Sequence, residues 1–250
     1  MQVVNMKPVD FSAHGGLWVP CAGSVTPWQT HIGSEEYEPD AKKFYMDPTT
    51  GSRVRDFLRY WGHYGKSDYT AAEAMAGGFF PYRYGYPWET VVKADFSEKT
   101  TKLYAHGRQS YEMSYAMPDL KTVYSTDDGT NVMFAKFIAD TEGDITEGIN
   151  YCARYIQTSP VGCEAIDWTA DIEWIAMPKA AHSQIEQAIE TTTFGDLFDY
   201  LECSDTGSVC PSGYTSVNGG GRDCECLRVK SGMEALAAHF EKRRYAGRKC

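Results

Sequence analysis

Up to about residue 140 the chain is written as short apolar runs broken by glycine and aspartate turns, and this rhythm narrows the available folds more than any other feature. Gly15-Gly16 precede Leu-Trp-Val-Pro, Gly77-Gly78 precede Phe-Phe, and Asp127-Asp128-Gly129 closes the run Lys121 to Ser125. Such runs predict strands. Aromatic residues make up 14% of the chain and favour the same pleated, half-buried surfaces. Helical spacing predicts two exceptions, Ser52 to Tyr64 and Tyr69 to Ala76. Beyond about residue 175 the texture changes: Ala180 to Ile189, Phe194 to Leu201 and Met233 to Tyr245 all read as helices. The last ends in Lys242-Arg243-Arg244, a basic run suited to a helix C-terminus. The expected fold is mainly β, with strands over 1–175 and a helical, cysteine-rich segment of the same domain over 176–250.

Lys+Arg 24 against Asp+Glu 34 gives a net charge of −10. That balance repels nucleic acid and anionic lipid and suits a chain that collects cations. No apolar run approaches the roughly 20 residues that span a bilayer, so membrane insertion is not expected. Met1 to Asp10 has no basic stretch followed by an apolar one, so no signal peptide is visible. Cys203, Cys210, Cys224 and Cys226 nevertheless lie in a Gly/Ser/Thr/Asp-rich stretch that needs stapling. Cys-x-Cys without a second pair at finger spacing is a poor zinc match, so disulfides and an exported protein are predicted, whether secreted, periplasmic or extracellular.

Cys21 stands far from the other cysteines. It follows Leu-Trp-Val and enters a Gly/Ser/Thr/Pro turn; Thr30-His31-Ile32-Gly33 is strand-like again and leads to Glu35-Glu36. A hairpin would bring the thiol and the acids together, a mixed soft and hard donor set for a transition metal beside calcium. The plainer reading of the same spacing is a buried free cysteine with two solvated glutamates. Glu112, and Asp127 and Asp128 at the end of the next strand, could converge on the same cations, although Asp-Asp-Gly is also what a tight turn prefers. The six histidines show no paired metal spacing and read as structural or surface residues.

GGLWVPCAGSVTPWQTHIGSEEYEPDA, followed some 70 residues on by AHGRQSYEMSYAMPDLKTVYSTDDGTNVMFAKFIAD, resembles the PhoX-type alkaline phosphatase family. SGMEALAAHFEKRRYAG resembles a helix before that family's next acidic motif. The resemblance implies an exported phosphatase on a β-propeller, with iron and calcium at the mouth of the central channel. It maps the iron-binding thiolate onto Cys21, the acidic pair onto Glu35 and Glu36, the second-motif glutamate onto Glu112, and further metal ligands onto Asp127 and Asp128. Cys21 and Glu112 are the implied catalytic positions. The implied reaction is hydrolysis of a phosphate ester with a metal-bound oxide or hydroxide as nucleophile.

At about 40 to 50 residues per blade the chain supplies roughly four blades, fewer than the family's propeller closes. A piece of a longer chain is therefore expected, with the remainder of its own propeller as a partner. Two alternatives stay open: a non-catalytic calcium-binding propeller acting in extracellular binding or assembly, and a disulfide-rich structural protein in which Cys21 is merely buried.

Overall fold

The computed structural model describes residues 6–46, 71–129, 132–203, 209–217 and 224–248. Within them the chain is mainly β, in three antiparallel sheets. The first joins β1 (Ser24–Val25), β2 (His31–Ser34), β3 (Pro87–Val92) and β4 (Glu98–Lys102) in chain order. The second is a five-stranded meander of β5 (Tyr111–Ala116), β6 (Thr122–Asp127), β7 (Ala135–Thr141), β8 (Asp144–Gln157) and β9 (Ala170–Ala176). The third sets β12 (Glu225–Val229) between β10 (Phe198–Glu202) and β11 (Thr215–Val217).

Local sequence accounts for the meander. Asp119 Oδ1 accepts the N–H groups of Lys121 and Thr122 at 3.0 and 2.9 Å, closing the β5–β6 turn. Thr141 pairs with Asp144 across Glu142-Gly143, and Gly143 takes the positive φ (73°) that so tight a hairpin requires. Val123, Ser125 and Asp127 alternate inward on β6, as Ala135, Phe137 and Ala139 do on β7. One buried cluster joins Ile32, Tyr82 and Phe137 to Ile185, Phe198 and Phe240, so the C-terminal segment shares the core of the strands before it.

The predicted hairpin forms. Ser24 and Val25 pair with Ile32 and His31, and Pro20 bridges Glu35. Gly33 pairs with Trp88, and a β-carbon there would come within 2.1–2.6 Å of three indole atoms. Gly33→Ala is expected to destabilise the fold by about 1–3 kcal/mol, as overpacking does. A urea midpoint equal to the parent's would refute this.

Several expectations are corrected. Leu17 to Val19 and Phe79-Phe80 are not strands; Pro81–Arg83 forms a 3-10 turn amid buried Phe79, Tyr82, Tyr84 and Tyr86. The helix expected over Ser52 to Tyr64 lies outside the described residues, whereas α1 (Ala41–Met46) and α2 (Ala71–Ala76) are present. α3 (His182–Ala188) matches its prediction, but only Phe194–Leu197 (α4) of the next segment is helical. Phe198 to Glu202 instead pairs with β12, because backbone pairing and the Cys203–Cys224 disulfide outweigh helical spacing. Met233 to Tyr245 splits at Glu241 into α5 (Glu234–Phe240) and α6 (Lys242–Ala246). Its basic run is not a solvated helix end: Lys242 and Arg244 are buried and Arg243 nearly so, and all three reach across the core. Arg244 alone binds Glu225 and Glu241, each at 2.7 Å.

The predicted disulfides are present as Cys203–Cys224 and Cys210–Cys226, holding the third sheet. Cys21 and Cys163 are free thiols. Among the described residues no helix is long and apolar enough to cross a membrane.

Candidate metal centre

The first and second sheets meet where β2 ends and β5 begins. Cys21 N donates to Ser34 O (2.8 Å), Glu36 N to Val19 O (3.0 Å), Ala22 N to Glu112 O (3.2 Å) and Tyr111 N to Glu35 O (2.9 Å). This lattice of backbone bonds draws together residues far apart in the chain. Cys21 Sγ lies 3.9 Å from Glu112 Oε1, and one donor atom each from Cys21, Glu36 and Glu112 lies within 4.8 Å of the others. The three are partly or fully exposed, so the cluster faces solvent.

Asp128 N is held by Ser110 O at 2.9 Å, and the Asp128 carboxyl shares a hydrogen bond with Glu36. Burial first, then that bond and the nearby Asp128 and Glu112, push the Glu36 carboxyl up. Asp128 moves down, chiefly because the Tyr37 side chain hydrogen-bonds to it. Burial and the two glutamates outweigh a bond from the Ala22 amide and raise the Cys21 thiol, so a cation binding there must displace its proton. Soft sulfur beside several hard oxygens suits a transition metal next to a hard cation, and a cation would offset the mutual repulsion of the acids.

The two acidic doublets divide alike. In each, the first acid is buried against a base; of the second acids, Glu36 belongs to the cluster and Asp128 lies beside Glu36. Glu35 is fully buried with Lys102. Asp127 Oδ1 accepts Ser110 N (3.1 Å), while its Oδ2 accepts Met133 N (3.1 Å) and Arg243 Nε (2.9 Å). Burial prevails over Arg243 and pushes the Asp127 carboxyl up to about 6. Arg243 also donates to Asp128 O (2.6 Å) and pairs with Glu38 (3.4 Å), bracing the strand end that carries Asp128. Of the six predicted ligands, the structure thus gathers Cys21, Glu36 and Glu112, sets Asp128 beside Glu36, and turns Glu35 and Asp127 into the protein.

Nothing in the sequence marks a site role for Tyr37, and Arg243 reads there only as part of a basic helix end. Arg243 lies 116 residues from Asp127, with nothing local to link them. Tyr37 has one retrospective signature, a left-handed backbone (φ 50°) beside Glu36, matched by Val19 (φ 34°) two residues before Cys21. Non-glycine residues held this way cluster at functional sites. Tyr37 N is fixed by Ser110 Oγ (2.7 Å) and its carbonyl by Trp18 Nε1 (2.7 Å).

No curated protein and no solved structure matches the chain. The family described as Alkaline phosphatase PhoX matches residues 2–208, which include Cys21, Glu36, Glu112 and Asp128. With most of its length matched, the chain belongs to the PhoX alkaline phosphatase family.

Proposed function

We propose that the chain is a metal-dependent phosphatase whose cations are held by Cys21, Glu36 and Glu112, with Asp128 completing the set. The convergence of one thiol and two carboxylates within 4.8 Å carries this reading. Iron at the thiolate and calcium among the oxygens fit the donor types. When bound, the cations would supply Lewis acidity, neutralising phosphate oxygens and activating water for attack.

The chain's own residues have definite tasks. The Cys21 thiolate supplies the soft ligand. Glu36 and Glu112 supply hard oxygens from opposite sides of the β2–β5 junction, and Tyr37 keeps Asp128 beside Glu36. The exposed side of the cluster is where a phosphate ester would enter. No seryl nucleophile is required. The first two sheets, each built from strands in chain order, are read as blades of a propeller, and the disulfides favour an oxidising compartment outside the cytoplasm.

Treatment with a chelator is expected to abolish hydrolysis of p-nitrophenyl phosphate, and iron with calcium to restore it better than either alone. Full activity in protein shown by elemental analysis to be metal-free would sink the proposal.

A further inference from the structure

Glu35 neighbours Glu36, yet its carboxylate is occupied by the protein. Oε1 accepts Trp18 N at 2.6 Å and lies 2.9 Å from Lys102 Nζ. Oε2 accepts the N–H groups of Gly85 (2.8 Å) and Tyr86 (3.1 Å). A carboxylate offers about four acceptor positions, and four donors fill them. Both side chains are 0% exposed. Lys102 Nζ is held in turn by Arg83 O (2.9 Å) and sits 4.6 Å from the centroid of the Tyr84 ring.

The backbone of the same residue ties the cluster together. Glu35 N donates to Tyr86 O (3.2 Å), its carbonyl accepts Tyr111 N (2.9 Å), and the residue bridges Pro20. Cys21 is the residue after Pro20, Glu36 the residue after Glu35, and Glu112 the residue after Tyr111. Each donor of the cluster therefore hangs one peptide from a point that Glu35 fixes.

We propose that the Glu35–Lys102 ion pair is a positioning device for the metal cluster, and that Glu35 orients ligands without being one. The inference rests on the proposed metal function. In metal sites, loss of partners that orient the ligands typically weakens binding by about 10–100-fold.

Cobalt(II) is a suitable probe, because a thiolate ligand gives it a sulfur-to-metal absorption band. The metal-free full chain, its Glu35→Gln/Lys102→Met variant and a Lys102→Met variant would be titrated with cobalt(II), with circular dichroism verifying the fold. Lys102→Met strands a buried carboxylate on three backbone N–H donors and is the harsher change, whereas the double variant removes both charges together and keeps the test available if Lys102→Met does not fold. The expected result is unchanged cobalt stoichiometry, a dissociation constant raised about 10–100-fold and a shifted visible spectrum. A folded variant with the parent's affinity and spectrum would overturn the inference, leaving the pair as a fold stabiliser only. Loss of a whole cobalt equivalent in the double variant would also overturn it, by making Glu35 a ligand. A parent chain with no sulfur band would instead defeat the underlying metal reading.

Discussion

Cys21→Ser is expected to lower kcat/KM for p-nitrophenyl phosphate by more than about 100-fold, beyond the effect usual for residues that only orient a ligand. Serine keeps the size and the backbone bond to Ser34 O, so the hairpin should persist. What it removes is the polarizable thiolate, the one soft donor beside Glu36 and Glu112. The loss should appear in elemental analysis as missing iron with the oxygen-bound cation partly retained, and Glu112→Gln should reverse that preference. Cys163→Ser is the control. That free thiol lies in the β8–β9 connection, against Ser159 Oγ at 3.4 Å, and its replacement should leave metal content and activity intact. Parent-like activity and metal content in Cys21→Ser would remove the cluster as the active centre while leaving family membership untouched.

The second large effect is loss of stability in acid. His106 and His239 are buried, and burial lowers their imidazoles to about 3 and about 4. His106 Nε2 lies 2.9 Å from Ile145 O with its ring stacked on Phe137; His239 Nδ1 lies 2.7 Å from Ala235 O. Near pH 5 the unfolded chain binds protons at these histidines that the folded chain refuses, so stability falls as pH drops from about 6.5 towards 3. At about 1.4 kcal/mol per unit the two together amount to several kcal/mol, comparable with the 5–15 kcal/mol total of an ordinary domain. The raised carboxyls of Asp127, up from 3.8 to about 6, and of Glu36 oppose them by favouring the folded state on protonation, while His182, also lowered by burial, acts with the two histidines.

Lys242 extends the trend to alkaline pH. Its amine donates to His106 O (2.7 Å) and Tyr111 Oη (3.1 Å), and burial brings it down from 10.5 to about 7. A lowered lysine makes the unfolded state the better proton binder between those values, so stability rises from pH 7 towards pH 10. Urea unfolding at pH 4, 5.5, 7 and 9 would trace both limbs, and Lys242→Met should flatten the upper one. Equal stability at pH 4 and pH 7 would refute the histidine argument.

Much of the site was legible in sequence because its parts are local. The Thr-Pro-Trp turn between Cys21 and Glu35-Glu36 prescribes a hairpin, and a hairpin places the two ends side by side. The cysteines of the C-terminal stretch likewise announced disulfides through the polarity of what they hold. Phe194 to Leu201 departs from its helical spacing for the opposite reason. Phe194, Leu197, Phe198 and Leu201 have helical spacing, but the partner that makes a strand of Phe198 to Glu202 begins at Glu225, where no local pattern reveals it.

The acidic doublets mark the same division most sharply. The sequence by itself determined that carboxylates stand in pairs at 35–36 and 127–128, and its reading made all four candidate ligands. Only the tertiary structure decided which member turns inward, because a buried carboxylate needs a base and several donors, and Lys102 and Arg243 arrive from distant elements. Those bases claim Glu35 and Asp127, leaving Glu36 to meet Cys21 and Glu112 at the surface with Asp128 beside it.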